Sequence, residues 1–139
     1  MTETYAIHQF ELKEHFALLT RWFEARKFPV PHPQQLPPIG LVMEHDGYFV
    51  CMGFLFRTDS AVAVIAHLCS NPASPGAVRH QGLNYLIASL MKVAEDQGYK
   101  MVTCSTNLEK LKSRFEGFFG FARTDENLTN FGRLICQWD

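Results

Sequence analysis

The chain has 139 residues, 47% of them hydrophobic and 19% charged. That composition fits one globular domain over residues 1–139 and argues against a disordered tail or an acidic activation segment. Lysine and arginine number 13 against 14 aspartates and glutamates, a formal net charge of −1; this disfavours a protein that grips nucleic acid through a broad basic face.

No apolar stretch approaches the roughly 20 residues of a membrane-spanning helix. The opening Met1-Thr2-Glu3-Thr4-Tyr5 lacks the basic region and apolar core of a secretion signal. A cytoplasmic protein without a membrane partner is expected.

Tyr5 to Phe10 is a short first strand. Leu12, Phe16, Leu19 and Phe23 then recur at helical spacing, which predicts an amphipathic helix from Leu12 to about Lys27, stopping before Pro29. Its aromatic residues Phe16, Trp22 and Phe23 read as core. Pro29, Pro31, Pro33, Pro37 and Pro38 follow, so this segment crosses the surface as a stiff extended link, with a wall of a substrate site as its functional reading.

Ile39–His45 and Tyr48–Arg57 flank Asp46-Gly47, a hairpin signal because both turn residues need positive φ. The second run is apolar on both faces, as a covered central strand is. Thr58-Asp59-Ser60 turns the chain, and Ala61–Cys69 makes a third consecutive strand. Asn71 to Val78 reads as a loop. A second amphipathic helix follows, with Leu83, Leu86, Ile87, Leu90, Met91 and Ala94 on one face and Gly98 as its left-handed cap.

Lys100–Ser105 is a short strand. A third helix is expected from Leu108 to Phe119, burying Leu108, Leu111, Phe115 and Phe118, with Gly120 closing it. Phe121–Glu126 and Asn130–Gln137 read as a final hairpin. The cysteines Cys51, Cys69, Cys104 and Cys136 each fall in an expected strand with no Cys-x-x-Cys pair, so four reduced, largely buried thiols are expected. The order β-α-β-β-β-α-β-α-β-β implies an α/β (α+β) mixed sheet with helices on both faces.

That order, with the residues around Arg79, resembles the GNAT N-acetyltransferase superfamily, and its short phage-encoded members in particular. Nearly the whole chain is covered. The segment Arg79-His80-Gln81-Gly82-Leu83-Asn84 resembles the family's Arg/Gln-x-x-Gly-x-Gly/Ala at the start of a helix, and His67-Leu68-Cys69-Ser70-Asn71-Pro72 resembles the strand end before it. Asn107 after the fifth strand and Phe119-Gly120-Phe121 fit the same pattern.

The resemblance implies an acyl-CoA-dependent N-acyltransferase, most simply an acetyltransferase, acting on an amine of a small molecule or protein. Acetyl-CoA would lie between the fourth and fifth strands as co-substrate. Its pyrophosphate would meet the amides of His80, Gln81, Gly82, Leu83 and Asn84 at a helix N-terminus, with Arg79 adding a charged contact. Backbone N–H groups near Leu68 and Ser70 would hold the oxyanion. Homodimers are common in the family. Some of its phage members transfer acyl or glycyl groups to a nucleic-acid base, which the balanced charge disfavours.

His67 stands where the family often places a general base; its other reading is a half-buried strand histidine held by one hydrogen bond. Asn107 would contact the coenzyme arm, or it caps the third helix. Glu44 and His45 face an acceptor groove or form a solvated hairpin pair. His67, Cys69 and His80 do not make up a zinc set, and Cys69 and Cys104 read as packing residues rather than nucleophiles. The acceptor groove would draw on the proline-rich link, the first helix and the final hairpin, including Asn130 and Phe131.

Two departures stand out. Asn84 replaces the family's glycine or alanine, and Ser113-Arg114-Phe115-Glu116-Gly117 lacks the tyrosine that protonates the leaving thiolate. Another group or water serves as the acid, or the chain is a non-catalytic GNAT-fold binding module, such as a phage protein engaging a host partner.

Overall fold

The computed structural model describes residues 4–106, 108–126, 129 and 131–139. They divide into two compact units, Met1–Cys104 and Ser105–Asp139. The first holds β1 (Tyr5–Gln9), α1 (Leu12–Ala25), a 3-10 turn (Pro33–Gln35), β2 (Ile39–His45), β3 (Tyr48–Phe56), β4 (Val62–Ser70), α2 (Gly76–Asp96) and β5 (Met101–Cys104).

The five strands form one sheet in the order β1-β2-β3-β4-β5. The first four are antiparallel neighbours, and β5 runs parallel to β4. Local chemistry sets this path. Asp46 (φ 48°) and Gly47 (φ 88°) make the tight β2–β3 turn, whose twist matches that of the strands. A parallel neighbour needs a crossover, and α2 supplies it, ending before Gly98 at φ 89°.

Helices cover both faces, as the order of elements implies. Leu19, Trp22 and Phe23 of α1 pack with Val42, Met52, Phe54 and Cys69. On the opposite face, Leu86 and Leu90 of α2 close over Gly53, and Gly82 lies on Val50 and Cys51. Each fully buried Leu or Phe contributes about 2 kcal/mol of apolar transfer energy. Leu12 departs from the expected stripe and is exposed. Buried His15 takes its place, its Nδ1 accepting the Glu11 amide at 2.8 Å and so tying down a backbone donor where α1 begins.

Two bulges break the alternation. Register shifts at Met43/Glu44, where Val50 of β3 is the extra residue, and again between Met52 and Phe54, where Gly53 alone faces His67 and Leu68 of β4. A bulge bends its strand and increases local twist.

In the second unit, α3 (Glu109–Ser113) passes into a π turn, Arg114–Phe118. Phe115 is buried, its ring 4.9 Å from Phe121 and 6.3 Å from Phe119. Leu108 and Phe118 are exposed, contrary to the expected buried stripe: Leu108 is the N-cap ahead of α3, and the wider π turn rotates Phe118 off the α-helical face. Gly120 adopts φ 70°, and the Phe121 amide closes onto the Phe115 carbonyl at 2.8 Å.

No final hairpin forms among the described residues of 121–139; Asn127, Leu128 and Asn130 lie outside them. Phe131 and Ile135 are exposed, and a two-stranded ladder without a covering layer is marginal in water. Cys136 is correspondingly exposed rather than buried in a strand. No helix among the described residues is long and apolar enough to cross a membrane.

Candidate functional site

β4 and β5 pair only from Val62↔Met101 to Ile65↔Cys104. Beyond Ile65, β4 continues through Ala66, His67, Leu68, Cys69 and Ser70 with no strand paired on that side among the described residues. The parting begins at the bulge, where His67 adopts φ 56°. A left-handed non-glycine residue costs about 1–3 kcal/mol unless its surroundings hold it. Here the rings of Phe54 (5.9 Å), Phe56 (6.0 Å) and Phe23 (6.5 Å) surround the imidazole. Burial in this aromatic nest lowers the His67 pKa from its ordinary 6.5, leaving a neutral imidazole near pH 7.

The Asn71 amide donates to Val50 across the sheet at 2.7 Å. Backbone groups of an antiparallel strand alternate sides, so the N–H and C=O of Leu68 and Ser70 point away from β3, toward the parting. The Leu68 side chain turns toward Gly53. The parting therefore presents a short strand edge.

Arg26, which sequence reasoning passed over, reaches this edge from the end of α1. Its Nε donates to the Ser70 carbonyl at 2.9 Å and its Nη2 to Ser70 Oγ at 2.7 Å. The two residues are 44 apart in sequence, so no local pattern could announce them. Burial pushes the Cys69 thiol up to about 11 against the pull of the Arg26 charge, and burial alone pushes Cys104 up to about 11. Neither is a thiolate near neutrality.

The helix-opening amides stand elsewhere than the sequence suggests. α2 begins at Gly76, not after Val78, with Pro75 as its N-cap. Its first three amides, on Gly76, Ala77 and Val78, have no partner inside the helix, and no side chain caps them. Gly82 lies six residues past this start. The amides of His80, Gln81, Gly82, Leu83 and Asn84 belong to the hydrogen-bonded ladder and cannot also serve a diphosphate. The bare face of Gly82 is likewise taken: a methyl there would stand 3.0 Å from Val50 Cγ1 and 3.4 Å from Cys51 Sγ. Asn84 is buried on the core side of the helix.

Arg79 does join the new opening. A methyl on Gly76 would lie 3.7 Å from Arg79 Nη2, which puts the guanidinium beside the first turn of α2. Its Nε is buried without a hydrogen-bond partner. A strand edge on β4, three helix-opening amides without a side-chain cap and a guanidinium whose Nε has no partner among the described residues fit the amide arm and diphosphate of a coenzyme A thioester. The diphosphate would sit one to two turns earlier in the helix than the motif implied.

Other candidates fall apart. Glu44 pairs with His8 on β1 (Oε1 to Nε2, 3.3 Å), and His45 sits 3.6 Å from Asp46, so both serve the β1–β2 end of the sheet. The proline-rich link packs Leu36 on the α1 side of the core. Asn107, like Asn130, lies outside the described residues.

No family model matches the sequence, and no curated protein matches it. Solved structures do. An acetyltransferase of Trypanosoma brucei superposes with a TM-score of 0.66 at 16% identity, covering 94% of this chain and 100% of that one. The N-acetylglutamate synthase of Neisseria gonorrhoeae, solved with coenzyme A and L-arginine, gives 0.63 at 19% identity over 81% of this chain and 27% of its own. A transcriptional regulator of Bacillus halodurans gives 0.66 at 13% identity, covering 93% and 100%. These likenesses establish the acetyltransferase fold; a fold hosts more than one function, so activity has to be argued from the site.

Proposed function

We propose that this chain is an N-acyltransferase that moves an acetyl or other acyl group from acyl-CoA to an amine. The observation that carries the reading is the parting of β4 from β5 after Ile65 and Cys104, on a fold shared with a synthase solved with coenzyme A. Acyl-CoA would supply the activated thioester. The residues of this chain bind, orient and move a proton.

The bare N–H groups of Leu68 and Ser70 are the donors for the thioester carbonyl, where negative charge develops on attack. The amides of Gly76, Ala77 and Val78, with Arg79, hold the diphosphate through the helix dipole and a charge-assisted bond. His67, kept neutral by burial, is the group on β4 suited to take the proton of an attacking ammonium. Residues 113–117 hold no tyrosine, so another group or water protonates the leaving thiolate.

A second reading has one specific observation in its favour. With α2 extended back to Gly76 and Gly82 packed on Val50, the usual phosphate loop is closed, as in a binding module that has given up catalysis. Calorimetry with acetyl-CoA, then thiol release across a panel of amines, separates the two. Micromolar binding with thiol release supports the transferase. Binding without release to any amine supports the module, and no binding overturns the acyl-CoA reading.

A further inference from the structure

We propose that Arg26 is a latch on the β4 edge, a positioning residue that sets how readily this chain admits the arm of an acyl-CoA. The inference rests on the acyl-CoA reading above and concerns the same parting between β4 and β5.

Beyond Ile65 the β4 edge has few hydrogen-bonding groups to offer. Leu68 and Ser70 direct their N–H and C=O toward the parting, because Asn71 is bonded to Val50 on the other side. Of these, the Ser70 carbonyl is already engaged by Arg26 Nε at 2.9 Å. The Cys69 side chain packs on the α1 face, so the next side chain, that of Ser70, leaves the strand on the α2 face. Yet Arg26 comes from α1 and reaches Ser70 Oγ at 2.7 Å. A guanidinium bonded to both the carbonyl and the hydroxyl of one strand residue has to lie across the strand edge. It occupies the line along which an extended ligand would add itself to β4.

The charge is poorly compensated. Arg26 forms no ion pair among the described residues. Both its bonds go to neutral acceptors. Swung away from Ser70, the guanidinium loses those two bonds and regains water, so the latch is held by a modest free energy and can open. A ligand arm laid along β4 at Ser70 meets the guanidinium itself, bonded there to the carbonyl and the hydroxyl, and takes that place as Arg26 swings away.

The sign of one measurement separates a latch from a structural or a contact residue. Calorimetric titration with coenzyme A alone is compared for wild type, Arg26→Ala, Arg26→Lys and Ser70→Ala, each checked for an intact fold by thermal melting. With the latch removed, Arg26→Ala binds coenzyme A about tenfold more tightly, the worth of one charged hydrogen bond no longer broken. Arg26→Lys, which cannot bridge both acceptors, and Ser70→Ala, which keeps only the carbonyl, tighten binding by smaller factors. Stopped-flow association is faster in Arg26→Ala by a similar factor.

Equal or weaker binding by a folded Arg26→Ala overturns the latch while leaving the acyl-CoA reading intact. Should Arg26→Ala fail to fold, Arg26→Lys and Ser70→Ala carry the test, and binding no tighter than wild type in both overturns it. If neither wild type nor any folded variant binds coenzyme A, the acyl-CoA reading goes and the latch goes with it.

Discussion

Gly82 rests its bare Cα against Val50 of the central strand: a methyl added to it would stand 3.0 Å from Val50 Cγ1. The glycine serves helix-to-sheet packing, six residues inside α2. Gly82→Ala therefore trades about 1 kcal/mol of helix propensity against a tight contact and stays within about 1 kcal/mol of wild type. Its coenzyme A affinity stays within about twofold, because the open amides are at Gly76, Ala77 and Val78. Gly82→Trp overfills the same space, costs about 3 kcal/mol and lowers the melting temperature by about 10 °C. Thermal melts beside calorimetry check both. A large affinity loss in a fully stable Gly82→Ala would return the phosphate contact to Gly82.

The four cysteines separate by environment. Cys51 and Cys69 are buried, Cys104 is half-buried and Cys136 is exposed. Burial pushes Cys69 and Cys104 up to about 11, so at pH 8 about one thiol in a thousand at either is ionised. A dithionitrobenzoate titration of the native chain should show one fast thiol, with all four released in guanidinium. Cys136→Ser removes the fast phase. Two or more fast thiols in the native protein contradict the packing of the first unit.

Local chemistry made much of the scaffold legible. Asp46-Gly47 announces the β2–β3 turn through its need for positive φ, and Gly98 announces the end of α2; both angles are found. The α1 stripe was legible from Leu19 and Phe23. What escaped depends on contacts distant in sequence. The bulge at His67 is a mismatch of register with Gly53, and nothing in the residues around His67 specifies it. Arg26 meets Ser70 only because α1 and β4 end at the same corner. The start of α2 was the one local signal passed over, since Ser74-Pro75 opens helices well. A motif borrowed from other sequences drew attention to Gly82 instead. The final hairpin is not found among the described residues of 121–139, and strand patterning by itself is a weak guide to pairing.

His67 gives the protein a pH dependence whose sign follows from its burial. The folded state lowers its pKa from 6.5, while the unfolded chain keeps the ordinary value. Between the two values the unfolded state holds more protons, so stability falls as pH drops through that window and is recovered above 6.5. His67→Gln should flatten the acid side of a stability profile taken by urea titration between about pH 5 and 7.5. If His67 also takes the proton of the amine, the acid limb of kcat/KM lies below 6.5 and disappears in the same variant. An unchanged acid limb in His67→Gln removes the base assignment and leaves the fold untouched.

Arg79 is the sharpest test of where a diphosphate sits. Its Nε is buried with no hydrogen-bond partner, and its Nη2 lies beside Gly76 at the open end of α2. No fold contact depends on its charge, so Arg79→Gln should leave the melting temperature within about 2 °C of wild type. The same change removes a charge-assisted bond to the diphosphate and should weaken coenzyme A about tenfold. The loss belongs to the phosphates if it shrinks as salt rises, because wild-type affinity then falls toward that of the variant as screening grows. Binding of pantetheine, which has no diphosphate, should be the same in both proteins. Equal coenzyme A affinities in wild type and Arg79→Gln at low salt would place the phosphates away from α2 altogether.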